Sequence, residues 1–216
     1  MRDLPAALEE VRERIAAAAH RAGRHPADVT LVAASKTVPA ARVAEAVALG
    51  VTDVGENRAQ ELLAKADALE GTIEAPVRWH FLGRLQRNKV RSLAPRVACW
   101  QSVDREALGA TIARHAPEAR VLVEVNLAGE PQKGGCVPSE AGPLTDELRG
   151  LGLGVAGLMT IPPEGDDPRR WFAALRDLAT DLDLRHLSMG MSDDYEVAVE
   201  EGATMVRVGR ALFGAR

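Results

Sequence analysis

Lys36 stands at the end of a short apolar stretch, residues 29–35, that has the composition of a buried strand. Pro39 and a helical pattern come next, which predicts a strand–helix unit. In parallel sheets and strand–helix barrels, ligands bind at the carboxyl ends of the strands. An amine held there against apolar walls loses hydration, and its neutral form can attack a carbonyl to form a Schiff base. The alternative is a lysine whose stem lies on the rim with its ammonium in water.

Other predicted strands also end on polar or small residues where a barrel would place its ligand site. These are Glu56 and Asn57 at the second strand, His80 and Gly83 at the third, Ser188, Met189 and Gly190 at the seventh, and Arg207, Gly209 and Arg210 at the eighth. Barrels often bind phosphate at the last two loops, because backbone N–H groups at a helix start favour an anion. Gly209 would let the backbone approach closely, and the Ser188 hydroxyl would add a donor. Taken alone, Gly209 fits an ordinary turn equally well.

Arg207 lies inside an apolar strand, between Val206 and Val208, where a charged side chain needs a partner. Arginine stays protonated and only donates hydrogen bonds. Two interpretations remain open: a rim arginine paired with a carboxylate such as Glu56, or an arginine that faces an acceptor on the ligand. The sequence contains no P-loop, so it does not indicate a nucleotide site of that kind.

Predicted strands and helices alternate along the whole chain, and no linker or repeat divides it. The predicted strands are residues 29–35, 51–54, 77–82, 97–100, 120–126, 153–158, 185–188 and 204–208. Strict alternation indicates an α/β protein with a parallel sheet, and eight units indicate closure into a (β/α)8 TIM-type barrel. An open, doubly wound sheet is the structural alternative. An extra amphipathic helix over residues 3–22 precedes the first strand, and we expect a single domain over residues 1–216.

The composition disfavours several classes of function. The 216 residues carry 31 Asp plus Glu against 27 Lys plus Arg, and a net charge of −4 argues against a nucleic-acid binder. Cys99 and Cys136 are not spaced as a metal or redox pair, so we expect reduced thiols, with one disulfide as the alternative. No apolar run has the length of a membrane span, and the amino terminus lacks the apolar core of a signal peptide. We therefore expect a cytoplasmic protein with no membrane partner.

Five blocks of sequence occur in order along the chain. They are Val-Ala-Ala-Ser-Lys-Thr at 32–37, Val-Gly-Glu-Asn at 54–57, Trp-His-Phe-Leu-Gly at 79–83 with Leu-Gln-Arg-Asn-Lys-Val at 85–90, Gly-Leu-Met-Thr at 157–160, and Leu-Ser-Met-Gly-Met-Ser at 187–192 with Val-Arg-Val-Gly at 206–209. Together they resemble the pyridoxal phosphate homeostasis protein family, whose fold is similar to the barrel domain of alanine racemase. The resemblance covers nearly the whole chain.

The resemblance implies that pyridoxal 5′-phosphate is the cofactor and that Lys36 holds it as an aldimine. It implies cofactor contacts from Asn57, His80, Ser188, Met189, Arg207, Gly209 and Arg210. Among these, Ser188 and the backbone of Met189, Gly209 and Arg210 would hold the phosphate, and Asn57 would lie beside the ring. Arg207 would face the pyridine nitrogen. Because arginine only donates, it would favour an unprotonated pyridine, which is a weak electron sink.

Two functions from different classes follow from this set. The first is a protein that holds pyridoxal phosphate as a lysine aldimine and supplies it to apoenzymes, its partners, without turnover of its own. The second is an amino acid racemase, which needs a second base opposite Lys36. The single tyrosine, Tyr195, is more simply interpreted as a surface helix residue. A Schiff-base aldolase would need no cofactor and would be colourless. A lone barrel without the racemase's second domain suggests a monomer.

A glycine-rich loop over residues 129–135 follows the fifth strand, so it should lie at the same barrel face as Lys36. Its three glycines and one proline predict few packing contacts and easy opening. Lys133 is the only amine of the loop and could accept the aldehyde in transit. The alternative is a solvent-exposed lysine without a role in transfer.

Overall fold

The computed structural model describes residues 3–73 and 75–214, and within these ranges eight parallel strands close into a barrel. The strands are β1 Thr30–Ala34, β2 Asp53–Glu56, β3 Arg78–Phe81, β4 Val97–Val103, β5 Arg120–Glu124, β6 Gly154–Met159, β7 His186–Ser188 and β8 Met205–Val208. Each strand pairs with the next along the chain, and β8 closes on β1 through pairs such as Val32 with Arg207. The predicted (β/α)8 barrel is confirmed, and the open sheet is wrong.

Helices follow the strands and cover the outside of the barrel. They are α1 Leu4–Arg21, α2 Ala40–Ala48, α3 Ala59–Leu69, α4 Arg87–Leu93, α5 Glu106–His115, α6 Pro138–Gly150, α7 Pro168–Asp181, α8 Tyr195–Glu200 and α9 Arg210–Phe213. The predicted extra amino-terminal helix is α1, which packs on α8 and α9. Its apolar stripe, Leu4, Leu8, Val11 and Ile15, is buried in this contact. None of the helices in the described ranges has the length and apolar character needed to cross a membrane.

The core has two layers. One lies between the barrel and its helices, and the other fills the barrel with Val32, Cys99, Leu122, Met159 and Met205. Methionine side chains are flexible and the cysteine thiol is small. Both can therefore pack around the polar side chains that neighbouring strands also place inside the barrel.

Both cysteines are buried and carry free thiols, which confirms the predicted reduced state. Burial raises the pKa of Cys99 and of Cys136 to about 12, so both stay protonated near neutral pH.

The fourth strand differs most from its prediction. β4 continues to Val103, three residues beyond the predicted end at residue 100, and α5 begins at Glu106. The register of β4 shifts against β3 and again against β5, as at a β-bulge. Residue patterns carry little information about such irregularities. The extension matters because it brings Gln101 into the barrel, where it is fully buried.

Candidate functional site

Lys36 follows β1 at the carboxyl end of the barrel, as predicted, and the next residue fixes the turn. Thr37 has a φ of 63°, a left-handed conformation that is costly for a β-branched residue. Its N–H donates to Glu61 Oε2 of α3 over 2.8 Å. This hydrogen bond is the largest cause that lowers the pKa of Glu61 below its ordinary value. An ionised carboxylate on α3 therefore holds the backbone beside Lys36.

A buried ion pair supports the same turn from outside the barrel. Lys65 of α3 pairs with Glu56 of β2, and Lys65 Nζ also donates to the Ser35 carbonyl over 2.6 Å. The Ser35 hydroxyl donates to Glu56 Oε1 over 2.7 Å. Glu56 is thus committed to Lys65 and Ser35. The interpretation that paired Arg207 with Glu56 is therefore wrong.

A cavity of about 640 Å³ opens beside Lys36 where β1 meets β8, and we call it the Lys36 cavity. Gly209 and Arg210 line it together with Lys36, so the predicted amine and the predicted anion-binding turn share one cavity. A Cβ at position 209 would lie 2.8 Å from the Ala34 carbonyl oxygen, so this close approach of two strands requires glycine. The Arg210 side chain pairs with Asp193, which fits a role for Arg210 through its backbone.

Ser192 lies beside the same turn and was not among the site residues predicted from the sequence. The Ala211 N–H donates to Ser192 Oγ over 3.2 Å, which places this hydroxyl at the start of α9. A hydroxyl that accepts one bond keeps its own hydrogen for donation. Its place in the 187–192 block, as the second serine and two residues after Gly190, is the sequence signal that could have identified it.

A chain of buried polar side chains crosses the barrel interior, and its first half joins β2, β3 and β4. Asp53 Oδ1 lies 2.8 Å from His80 Nε2, and His80 Nδ1 lies 2.7 Å from Gln101 Nε2. Burial alone would raise the pKa of Asp53, but hydrogen bonds from His80, Arg78 and Thr52 outweigh it and hold the pKa well below its ordinary value. An ionised Asp53 accepts from His80 Nε2–H. His80 Nδ1 then accepts from the Gln101 amide, so the imidazole is neutral.

The second half of the chain reaches the carboxyl end through β7 and β8. The Ser188 hydroxyl donates to Gln101 Oε1 over 2.5 Å and accepts from Arg207 Nη1 over 2.8 Å. Arg207 Nη2 donates to the Thr160 carbonyl over 2.9 Å. Burial lowers the pKa of Arg207 to about 10, and the nearby Glu124 and Asp194 act against that shift. Arg207 therefore stays charged near neutral pH, with its orientation fixed by two acceptors.

Three predicted cofactor ligands are engaged elsewhere in the structure. His80 uses both ring nitrogens inside the barrel, and it lines a cavity at the amino-terminal ends of the strands rather than the Lys36 cavity. The Ser188 hydroxyl is committed to Gln101 and Arg207. The Met189 N–H donates to the Met205 carbonyl over 3.2 Å, as part of the sheet. The predicted contacts of His80, Ser188 and the Met189 amide with the cofactor stay predictions, and the structure shows these groups hydrogen-bonded to other parts of the barrel.

Asn57 lies at the carboxyl end of β2, as predicted, but it lines a second cavity of about 280 Å³ on that face. Lys133 lines this second cavity too, so the 129–135 loop lies at the predicted face of the barrel. Lys133 is half-buried, and its Nζ lies 2.5 Å from Glu130 Oε2 and 2.9 Å from the Pro162 carbonyl. These contacts correct the view of Lys133 as a solvent-exposed side chain. To reach an aldehyde, its amine must first leave both acceptors.

Comparisons with known proteins agree with this geometry. Residues 7–216 match the family model of the alanine racemase N-terminal domain. The pyridoxal phosphate homeostasis protein of Pseudomonas aeruginosa is 44% identical over 219 residues, which cover 97% of this chain and 94% of that protein. The chain belongs to the pyridoxal phosphate homeostasis protein family. The resemblance inferred from the five sequence blocks is confirmed.

Solved structures support the family assignment. A protein of Bifidobacterium adolescentis superposes with a TM-score of 0.89 at 37% identity, covering 97% of this chain and 94% of that one. PipY of Synechococcus elongatus, solved with pyridoxal phosphate bound, superposes with a TM-score of 0.83 at 36% identity, covering 94% of this chain and all of PipY, 100%.

Tyr195 bears on whether this family member could act as a racemase. It is only 1% exposed, so the prediction of a surface helix residue is wrong. Tyr195 begins α8, which packs under α1, and the Arg14 guanidinium of α1 lies 5.4 Å from its ring centroid. A tyrosine packed beneath α1 in this way has a structural role.

Proposed function

We propose that this protein binds pyridoxal 5′-phosphate as an aldimine on Lys36 and supplies it to apoenzymes without turnover of its own. The observation that carries the proposal is the shared cavity of Lys36 and the Gly209–Arg210 turn. One cavity then offers an amine for the aldehyde and backbone N–H groups for the phosphate. The names of the relatives and the cofactor bound to PipY support the same choice of ligand.

The residues present fit the three functional groups of this cofactor. The phosphate would be held by backbone of Gly209 and Arg210 and by the Ser192 hydroxyl. The aldehyde would meet Lys36. Arg207 uses two of its five N–H groups on Ser188 and Thr160, so three remain to donate to the pyridine nitrogen. A charged arginine there keeps the ring nitrogen unprotonated, which makes the bound cofactor a poor electron sink.

The alternative function, amino acid racemisation, needs a base on each face of the substrate carbon. Lys36 could serve one face. Tyr195, the chain's single tyrosine, is buried beneath α1 and pairs its ring face with Arg14. This arrangement favours cofactor binding without catalysis over racemisation.

We also propose that the protein acts as a monomer in the cytoplasm, where its recipient apoenzymes would be found. The two free, buried thiols suit a reducing compartment.

Absorbance spectroscopy and a racemase assay test the proposed function together. Purified protein loaded with pyridoxal phosphate should be yellow, and Lys36→Ala should lose the visible band of the bound aldimine. Each enantiomer of a panel of amino acids should keep its configuration during incubation with the loaded protein. A colourless protein that binds no cofactor would contradict the proposal, and racemisation that depends on Lys36 would favour the alternative.

A further inference from the structure

Glu124 is a buried carboxylate that faces the second cavity. It ends β5, is 8% exposed and lines the cavity together with Asn57, Lys133 and Gly134. A Cβ at position 134 would lie 3.1 Å from Glu124 Oε2, so the carboxylate rests directly against this wall. No side chain or N–H in residues 3–73 or 75–214 donates a hydrogen bond to it. A buried carboxylate without a protein donor is costly, so the site suits a ligand that supplies one.

The charged groups around Glu124 leave its charge incompletely balanced. Burial is the largest cause that raises the pKa of Glu124 to about 7, and Asp104 beyond β4 raises it further. Arg207 of β8 and Arg84 beyond β3 act in the opposite direction without forming a hydrogen bond to it. On the loop side, Lys133 is turned toward Glu130 and the Pro162 carbonyl.

We propose that the second cavity binds a primary ammonium group, with Glu124 as its counter-ion and hydrogen-bond acceptor. An ammonium offers three N–H donors and a single positive charge, which match one ionised carboxylate. A metal ion fits less well. Among the residues that the structure describes, no group of three or more His, Cys, Asp or Glu side chains is placed to hold one. The volume of about 280 Å³ accommodates a short alkyl chain.

A bound primary amine would lie on the barrel face that carries Lys36, because Glu124 and Lys36 both stand at carboxyl ends of strands. A primary amine is the chemical class that can take an aldehyde from a lysine. In that exchange a C=N bond forms to the incoming nitrogen, the C=N bond to Lys36 breaks, and two protons pass from the incoming ammonium to Lys36. This acceptor role rests on the proposed function, whereas ammonium binding at Glu124 does not.

The test is a titration of the full-length, ¹⁵N-labelled protein with ethylammonium chloride, followed by NMR. It uses the wild type without added cofactor and the Lys36→Ala variant, which separates binding from reaction at Lys36. We expect saturable shifts of the Gly134 and Asn126 amides in both proteins. Affinity should rise between about pH 6 and about pH 8, as Glu124 ionises. Glu124→Gln should weaken binding about tenfold or more, since it removes a charge-assisted hydrogen bond.

Matched controls decide the interpretation. Glu147→Gln, on the exposed face of α6, should bind ethylammonium as the wild type does, and tetramethylammonium, which has no N–H donor, should give no saturable shifts. Equal affinity in Glu124→Gln, equal affinity at both pH values, or saturation by tetramethylammonium would overturn the proposal. The pH dependence of the wild type tests it even if Glu124→Gln does not fold. Ethylammonium binding to a protein that takes no cofactor at Lys36 would overturn the proposed function alone.

Discussion

The Arg207 guanidinium donates from Nη1 to the Ser188 hydroxyl over 2.8 Å inside the barrel. Ser188 is in turn held by Gln101, and His80 joins Gln101 to the ionised Asp53. Each link of this chain joins one donor to one acceptor, so the chain fixes a single orientation of Arg207. The charge proposed to meet the pyridine nitrogen is thus positioned by the barrel before any cofactor arrives.

The first prediction assigns different roles to Ser188 and Ser192. Ser192→Ala should weaken the affinity for pyridoxal phosphate by roughly 1.5–3 kcal/mol, about ten- to a hundredfold, because it removes a donor to a charged phosphate. Ser188→Ala should lower the free energy of unfolding instead, because it leaves Gln101 and Arg207 with an unpaired group each. Cofactor titration by absorbance and urea unfolding of both variants provide the measurements. A larger loss of affinity in Ser188→Ala than in Ser192→Ala would identify Ser188, rather than Ser192, as the main phosphate ligand.

The second prediction concerns Gln101. Gln101→Leu keeps the volume but leaves His80 Nδ1 without a donor and the Ser188 O–H without an acceptor in the interior. Each unsatisfied buried group costs roughly 1–3 kcal/mol, so the free energy of unfolding should fall by about 2–5 kcal/mol. Urea unfolding measures this loss. Gln60→Leu, on the exposed face of α3, is the control and should be near neutral. If both variants unfold at the same urea concentration as the wild type, the polar chain does not stabilise the barrel.

The third prediction is a pH dependence of stability that comes from Glu124. Its pKa in the folded protein is about 7, above its ordinary value of 4.5. Protonation of Glu124 therefore makes its full contribution to the free energy of unfolding below about pH 4.5. This contribution is lost as the pH rises through about 7. The loss amounts to roughly 3 kcal/mol. Glu124→Gln should lack it, so the wild type should lose stability relative to this variant between about pH 5 and about pH 8. Parallel unfolding curves across that range would show that Glu124 does not titrate as described.

The fourth prediction assigns the 129–135 loop a part in cofactor transfer. Lys133→Ala should slow the recovery of an apoenzyme mixed with cofactor-loaded protein, while the visible band from Lys36 stays intact. The reason is that Lys133 is the amine of the loop and lines the cavity with Asn57. Recovery is measured with a trap for free cofactor, and Lys89→Ala on α4 is the matched lysine control. An unchanged transfer rate, or a loop that is fully protected in hydrogen exchange, would exclude this role.

The barrel and the position of Lys36 could be predicted from the sequence because both depend on local patterns. An apolar run that ends on a polar residue predicts a strand and its carboxyl end, and eight such units predict closure. Gly209 was predicted for the same reason, since a strand followed by a glycine and a helix start is a local signal. The close approach of Gly209 to Ala34 explains why glycine is needed there.

The rest of the site depends on contacts between residues far apart in the chain. The strand positions of His80 and Ser188 could be predicted, but their hydrogen bonds to Gln101 could not, because Gln101 enters the barrel through the irregular register of β4. Glu124 was missed because a carboxylate in an alternating strand looks solvent-exposed until the neighbouring loop covers it. Tyr195 was misassigned because α1, which buries it, is distant in sequence.

Borohydride reduction followed by peptide mapping identifies the lysine that binds pyridoxal phosphate. Protein loaded with pyridoxal phosphate is reduced, digested, and analysed by mass spectrometry for the lysine that carries the fixed cofactor. We expect one dominant adduct on the peptide that contains Lys36, and its loss in Lys36→Ala. An adduct that maps mainly to Lys89 or Lys133 in the wild type would contradict the assignment of Lys36.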